Sequence, residues 1–146
     1  MITSRRLDIA DAKLLLAAAA ERSAQIGVPM CTAVTDESGV LIAFERMDGG
    51  KVSSVAIAID KAFTAATSRR PTSFYSGVSQ PGGAAWGIDQ TNQGRFCVIG
   101  GGVPILVEGA VVGAVGVSSG TAVQDEDVAQ WAVDAFPASE RVQNET

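Results

Sequence analysis

Lys61 lies on a helical run whose same-face neighbours, Ile57, Thr64, Ala65 and Ser68, carry no charge. An amine on so weakly polar a face can have its pKa lowered by burial and then act as a base or as a Schiff-base nucleophile toward a carbonyl. Gln124-Asp125-Glu126-Asp127 supplies carboxylates where a last helix begins, and Asp125 or Glu126 could accept a proton or ligate a hard metal ion. Tyr75, just before a long polar stretch, is a further acid–base group. Each has a plainer alternative: acids in a first turn stabilise the helix dipole, and a tyrosine packs.

Other groups suit binding. Arg46-Met47-Asp48-Gly49-Gly50 sets a guanidinium, able to hold a carboxylate in bidentate fashion, at a glycine-rich turn. Its alternative is an Arg46–Asp48 pair that only shapes the loop. Gly100-Gly101-Gly102, before Val103-Pro104, lacks the spacing of a dinucleotide fingerprint. Consecutive glycines still let backbone N–H groups converge on an anion, against the alternative of an ordinary connecting loop. Gly116-Val117-Ser118-Ser119-Gly120 matches G-x-S-x-G between a strand and a helix. The chain has no histidine, so that serine has no imidazole base, and Ser-His-Asp and Cys-His units are excluded. Ser118 is left as a hydroxyl or backbone donor to a ligand. Without histidine or paired cysteines no zinc site is expected, and only Mg²⁺ or Ca²⁺ would suit the acids.

Few elements are needed to position these groups. Asp8 and Asp11 mark a helix start, residues 10–25 are rich in helix formers, and Gly27 and Pro29 stop the helix. Residues 30–35 and 40–45 form a hairpin about Asp36-Glu37-Ser38-Gly39. Apolar residues at Val52, Val55, Ala56, Ile59, Phe63 and Ala66 predict a helix over 52–68, closed by Arg69-Arg70-Pro71. Its opposite face, centred on Lys61, suits a subunit contact or a pocket wall. From 72 to 94 the pattern is lost and a long loop is expected. Residues 96–99, 104–107 and 110–117 read as strands, the last two joined by Glu108-Gly109. Thr121 and Gln124 then cap a helix that runs up to Pro137. The order α-β-β-α-loop-β-β-β-α implies an α+β architecture with an antiparallel sheet. One domain covers 1–137, and 138–146 is a polar, frayed tail.

Composition narrows the function classes. With 47% hydrophobic and 18% charged residues, Ala, Val and Gly must carry the core, and part of the apolar surface is expected to meet another copy in a homo-oligomer. A net charge of -5 without a basic stripe opposes nucleic-acid binding. Cys31 and Cys97, each alone in an apolar run, read as buried strand thiols in a reducing compartment. No signal segment and no run of ~18 apolar residues is present, so a soluble cytoplasmic protein without membrane contact is expected.

The pieces Ala33-Val34-Thr35-Asp36 with Ser38-Gly39, Arg46-Met47-Asp48-Gly49, Lys61-Ala62, Pro71-Thr72, Gly101-Gly102-Val103-Pro104-Ile105, Gly113-Ala114-Val115-Gly116-Val117-Ser118 and Gln124-Asp125-Glu126 occur in one order. In that order the chain resembles the GlcG/HbpS-like family, which includes the C-terminal domain of PduO-type proteins. The resemblance implies a profilin-like sandwich, a five-stranded antiparallel sheet flanked by helices, in symmetric oligomers. It also implies haem or corrinoid as a ligand class, or a place beside the catabolism of small oxygenated compounds. With no imidazole available, Tyr75, a cysteine, Met47 or the Thr64 hydroxyl would have to meet a haem iron.

Three functions follow as expectations. The first is a binder of a small anionic ligand, a carboxylated tetrapyrrole by resemblance. Arg46 and Lys61 would hold its carboxylates, Gly101 and Gly102 would donate backbone N–H groups, and Asp125 would orient the pocket; Met47, Asp48, Thr64, Pro104 and Ser118 complete the site. The second is an isomerase or lyase acting by proton transfer on a carboxylated or carbonyl substrate, with Lys61, Asp125, Glu126 or Tyr75 as catalytic groups. The third is a structural assembly module.

Overall fold

A computed structural model describes residues 1–137, and the tail expected at 138–146 lies outside the described residues. Asp11 N–H donates to Asp8 Oδ1 at 2.8 Å and Asp8 N–H to Asp11 Oδ2 at 3.0 Å, the reciprocal bonds from which helix α1 (Ile9–Ile26) starts. Gly27, at φ 70°, ends it. Strands β1 (Cys31–Asp36) and β2 (Leu41–Arg46) form the expected hairpin. Helices α2 (Ser54–Ser68) and α3 (Thr72–Val78) follow, then β3 (Gly102–Val107), β4 (Ala110–Ser118) and α4 (Ala122–Ala135). The Thr121–Gln124 capping box opens α4.

The strands order as β2-β1-β4-β3, every neighbour antiparallel. Side chains on β4 alternate with period two. Val115 and Val117 pack with α1 and α4, while Ala114 and Gly116 turn toward α2. The sheet therefore has a valine face and a face of alanine and glycine. The second face brings α2 in very close, for a Cβ on Gly116 would lie 2.1 Å from Ala58 O and 2.4 Å from Ala62 N.

That closeness shifts the buried face of α2 from the expected stripe toward its small residues. Ala58, Lys61, Ala62, Ala65 and, from the expected stripe, Ala66 are buried, whereas Ile59 and Phe63 are half-buried and Val52, just before the helix, is 76% exposed. Hydropathy favoured the bulky stripe, but backbone proximity selected the small one.

Two further expectations are corrected. Residues 96–99 form no strand, so the sheet has four strands and not five. Their polar backbone groups are bonded elsewhere: Cys97 N–H donates to Thr64 Oγ1 at 2.9 Å, and Ile99 O accepts from Thr72 Oγ1 at 2.7 Å. Threonine hydroxyls on two helices replace ladder partners. Cys97 is thus a half-buried thiol outside the sheet, unlike Cys31 in β1, and both are free. The stretch 72–94 is not one long loop, since it opens with α3 and includes short 3₁₀ turns at Ile88–Gln90 and Asn92–Gly94. The sequence TSFYSGV has little helix propensity. Tertiary contacts hold α3: the Tyr75 ring meets Phe74 and Phe96 edge-on, with centroids 5.2 and 4.8 Å away.

Thr72 has the most demanding of these contacts, because its buried hydroxyl also accepts from Gly102 N–H at 2.9 Å. Thr72→Val keeps the shape and leaves both backbone groups unpaired. It is expected to cost about 2–3 kcal/mol in a urea unfolding titration; a loss below about 0.5 kcal/mol would show that neither bond matters to the fold. Among the described residues no helix is long and apolar enough to cross a membrane.

Candidate functional site

Lys61 is carried on α2, Val117 on β4, and Asp125 one turn into α4. The packing of α2 on the alanine and glycine face points the lysine at the end of β4. Its Nζ donates to Asp125 Oδ2 at 2.8 Å and to Val117 O at 3.0 Å, and Lys61 is only 1% exposed. Asp125 Oδ1 accepts from Gly120 N–H at 2.9 Å. Gly101, at φ 130°, lets the chain pass over this pair, since a Cβ there would lie 2.8 Å from Lys61 Nζ and 2.5 Å from Val117 O. Of the glycines expected to cradle an anion, Gly102 has its N–H spent on Thr72 Oγ1, and Gly101 is fixed through its carbonyl, which accepts from Val117 N–H.

The structure thus unites Lys61, Asp125, Gly101 and Gly102 in a closed cluster where opposite charges match. Such an arrangement clamps α2, β4 and α4 together and leaves no open amine for a substrate carbonyl. Thr64 is equally enclosed, its hydroxyl donating to Asp60 O at 2.7 Å, and Pro104 is buried in β3. Ser118 ends β4 and is 5% exposed.

Arg46 and its neighbours form a different place. Cys31, the first residue of β1, lies opposite Arg46 on β2 and Ser118 on β4, so the three form a row across the end of the sheet. Past Arg46 the chain turns tightly, with Gly50 N–H donating to Met47 O at 2.9 Å and Lys51 N–H to Ser119 Oγ at 3.1 Å. Gly50 has no side chain to obstruct the Arg46 stem, as a Cβ would lie 3.2 Å from Arg46 Cγ. Burial raises the Cys31 thiol above its ordinary pKa, partly offset by the Arg46 charge. Among the described residues the Arg46 and Lys51 side chains, both exposed, have no carboxylate partner. Asp48 is exposed as well and forms no ion pair with Arg46. The turn thus presents two cations and one carboxylate to solvent, with Val52 directly beyond it.

Tyr75 and Glu126 lie in a third place, around α3. Tyr75 is half-buried between two phenylalanines, and Glu126 Oε1 accepts from Ser73 Oγ at 2.6 Å. Sequence reasoning missed Lys51, Ser119 and Ser73. Lys51 had a visible signal, a second cation closing the Gly49-Gly50 turn, whereas Ser73 was hidden by the expectation of a loop. No group of three or more Cys, Asp or Glu side chains able to hold a metal ion occurs among the described residues.

The geometry can be set beside known proteins. A family model described as "Haem degrading protein HbpS-like" matches residues 7–134. An uncharacterized 15.0 kDa protein in the dhaT-dhaS intergenic region of Citrobacter freundii is 38% identical over 130 residues, covering 89% of this chain and 92% of that one. The corrinoid adenosyltransferase PduO of Salmonella typhimurium is 35% identical over 130 residues, 89% of this chain but 39% of that longer protein. A solved PduOC:heme complex superimposes with a TM-score of 0.86 at 34% identity, over 90% of this chain and 96% of that one.

Proposed function

The chain belongs to the HbpS-like family, and on that premise we propose that it binds a carboxylated tetrapyrrole, such as haem, at the Arg46–Lys51 turn. The observation that carries the reading is the pair of exposed cations there, neither in an ion pair and together outnumbering the one acid of the turn, Asp48, in a chain whose net charge is -5. Two cations on one short turn suit two carboxylates of a single ligand, each as a charge-assisted hydrogen bond. The neighbouring Val52 side chain, 76% exposed, offers apolar surface to the flat ring.

The fit is to the carboxylate end of such a ligand and not to its metal. Met47 Sδ already accepts from Met30 N–H at 3.5 Å, the Thr64 hydroxyl is enclosed, and Cys31 is buried with its thiol raised. We therefore place the ligand by its carboxylates, with no side chain of this turn on the metal. Lys61, Gly101, Gly102 and Asp125 hold the sheet end and α4 in register around the site, and do not touch the ligand. A cytoplasmic homo-oligomer of profilin-like subunits belongs to the same reading; the exposed Val40 and Leu41, at the start of the edge strand β2, support an intersubunit contact.

Titration with hemin and with metal-free protoporphyrin, followed at the Soret band, tests this. Both are expected to bind saturably with similar affinity, and Arg46→Ala is expected to weaken both at least tenfold while the melting temperature is unchanged. Binding of hemin alone, or affinity indifferent to Arg46, would end the proposal.

A further inference from the structure

Three consecutive acids begin α4, and they are treated differently. Asp125 is matched by Lys61, and Asp127 by Arg22 at 3.0 Å. Glu126 has no cation among the described residues and is held only by the Ser73 hydroxyl. Its carboxylate faces a groove of about 360 Å³ between α3, residues 98–100 and the start of α4, a size at the small end of ligand sites.

The hydroxyl hydrogens on this wall are already spent, and the Gln80 amide, which also lines it, is turned to the backbone, its Nε2 donating to Ser76 O at 2.9 Å. Ser73 Oγ donates to Glu126 Oε1 at 2.6 Å, and Ser76 Oγ to Ser73 O at 2.7 Å. What these side chains offer a ligand is acceptors: both serine oxygens and Glu126 Oε2, which would lie 3.7 Å from a Cβ on Gly100. The facing wall, from Val98, Ile99 and Val123, is apolar. An incoming carboxylate would meet an uncompensated negative charge, whereas a hydroxyl or an ammonium would supply the missing donor.

We infer that the α3–α4 groove is a second binding site, for a short carbon chain bearing hydrogen-bond donors, hydroxyl or ammonium, with Glu126 and Ser73 as the recognising acceptors. The site shares no residue with the Arg46–Lys51 turn, so either proposal can fail without the other. Gly100 provides a clean probe of the groove. It has no positive φ, and an added methyl would meet Ser73 Cβ and Ala122 O at 3.5 Å, an ordinary contact. Gly100→Ala therefore narrows the groove without strain.

Backbone NMR titration of the full chain with glycerol, ethanolamine and glycolate tests the site. Saturable shifts centred on Ser73, Gly100 and Glu126 are expected from a donor ligand and not from glycolate. Shifts from glycerol would assign hydroxyl recognition, and shifts from ethanolamine alone would assign the ammonium. Glu126→Gln keeps an acceptor for Ser73 but removes the charge, and Gly100→Ala removes space; each should weaken binding at least tenfold with the rest of the spectrum unchanged. Glycolate acting as strongly as the donors, no saturable shift at these residues, or variants that bind like the parent would overturn the assignment.

Discussion

Lys61→Met is expected to destabilise the protein by roughly 3–5 kcal/mol, the usual consequence of leaving one charge of a buried pair without its partner. For a chain of this length that corresponds to a melting temperature lower by roughly 10–15 °C. The expectation rests on the enclosure of Lys61 and Asp125 and on the bonds they make, 2.8 Å to each other and 3.0 Å from Nζ to Val117 O. Methionine nearly conserves volume, so the loss reports charge and hydrogen bonding more than packing. Lys61→Met combined with Asp125→Asn should be clearly more stable than the sum of the two single losses implies, because the amide can still accept from Gly120 N–H while the orphaned charge is gone. If Lys61→Met melts within about 1 kcal/mol of the parent, the pair is no clamp and the lysine is free for another role.

Gly116→Ala is the second large effect. A single methyl must enter where Ala58 O would be 2.1 Å and Ala62 N 2.4 Å away, and both are backbone atoms of a helix that cannot rotate aside. The helix must lift from the sheet, separating the small residues that give this face its burial. A loss of about 3 kcal/mol or more is expected, the upper range for overpacking, seen as lower soluble yield and an early thermal transition. Gly100→Ala is the matched control and should melt like the parent. Equal behaviour of the two alanine variants would show that α2 does not depend on its close approach.

The parts of the fold legible in the sequence were those specified by neighbours in the chain. The Asp8–Asp11 and Thr121–Gln124 caps, the Asp36–Gly39 turn and the Glu108–Gly109 hairpin are short-range features, and each stands where its residues implied. Residues 96–99 looked like a strand because they are apolar, but a ladder is settled by which partners arrive, and here Thr64 and Thr72 arrived. Helix α3 was invisible because its stability comes from Tyr75 and Phe96 and not from its own propensity. The buried face of α2 was misplaced in part because a hydropathy pattern weighs side-chain bulk, and alanine and glycine bury well by having little of it.

The candidate site shows the same division. Lys61 and Asp125 were each singled out, yet nothing at a separation of 64 residues disclosed that they neutralise one another. Arg46 was singled out from its turn, and the structure adds Lys51, whose N–H closes that turn on Ser119. Glu126 was distinguishable from Asp125 only when the neighbouring charges could be located.

The threonine bonds that displaced the fifth strand have a consequence for how the molecule opens. Residues 96–99 are tied to α2 and α3 through hydroxyls and contribute no rung to the sheet. Detaching α3 with this segment therefore breaks no strand pairing, while the four-stranded sheet and its valine face stay intact. Native-state amide exchange divides proteins into units that unfold separately. Here the boundary is expected to run through Thr64 and Thr72, so that the amide of Cys97 exchanges when its segment leaves α2, ahead of the amides of the sheet.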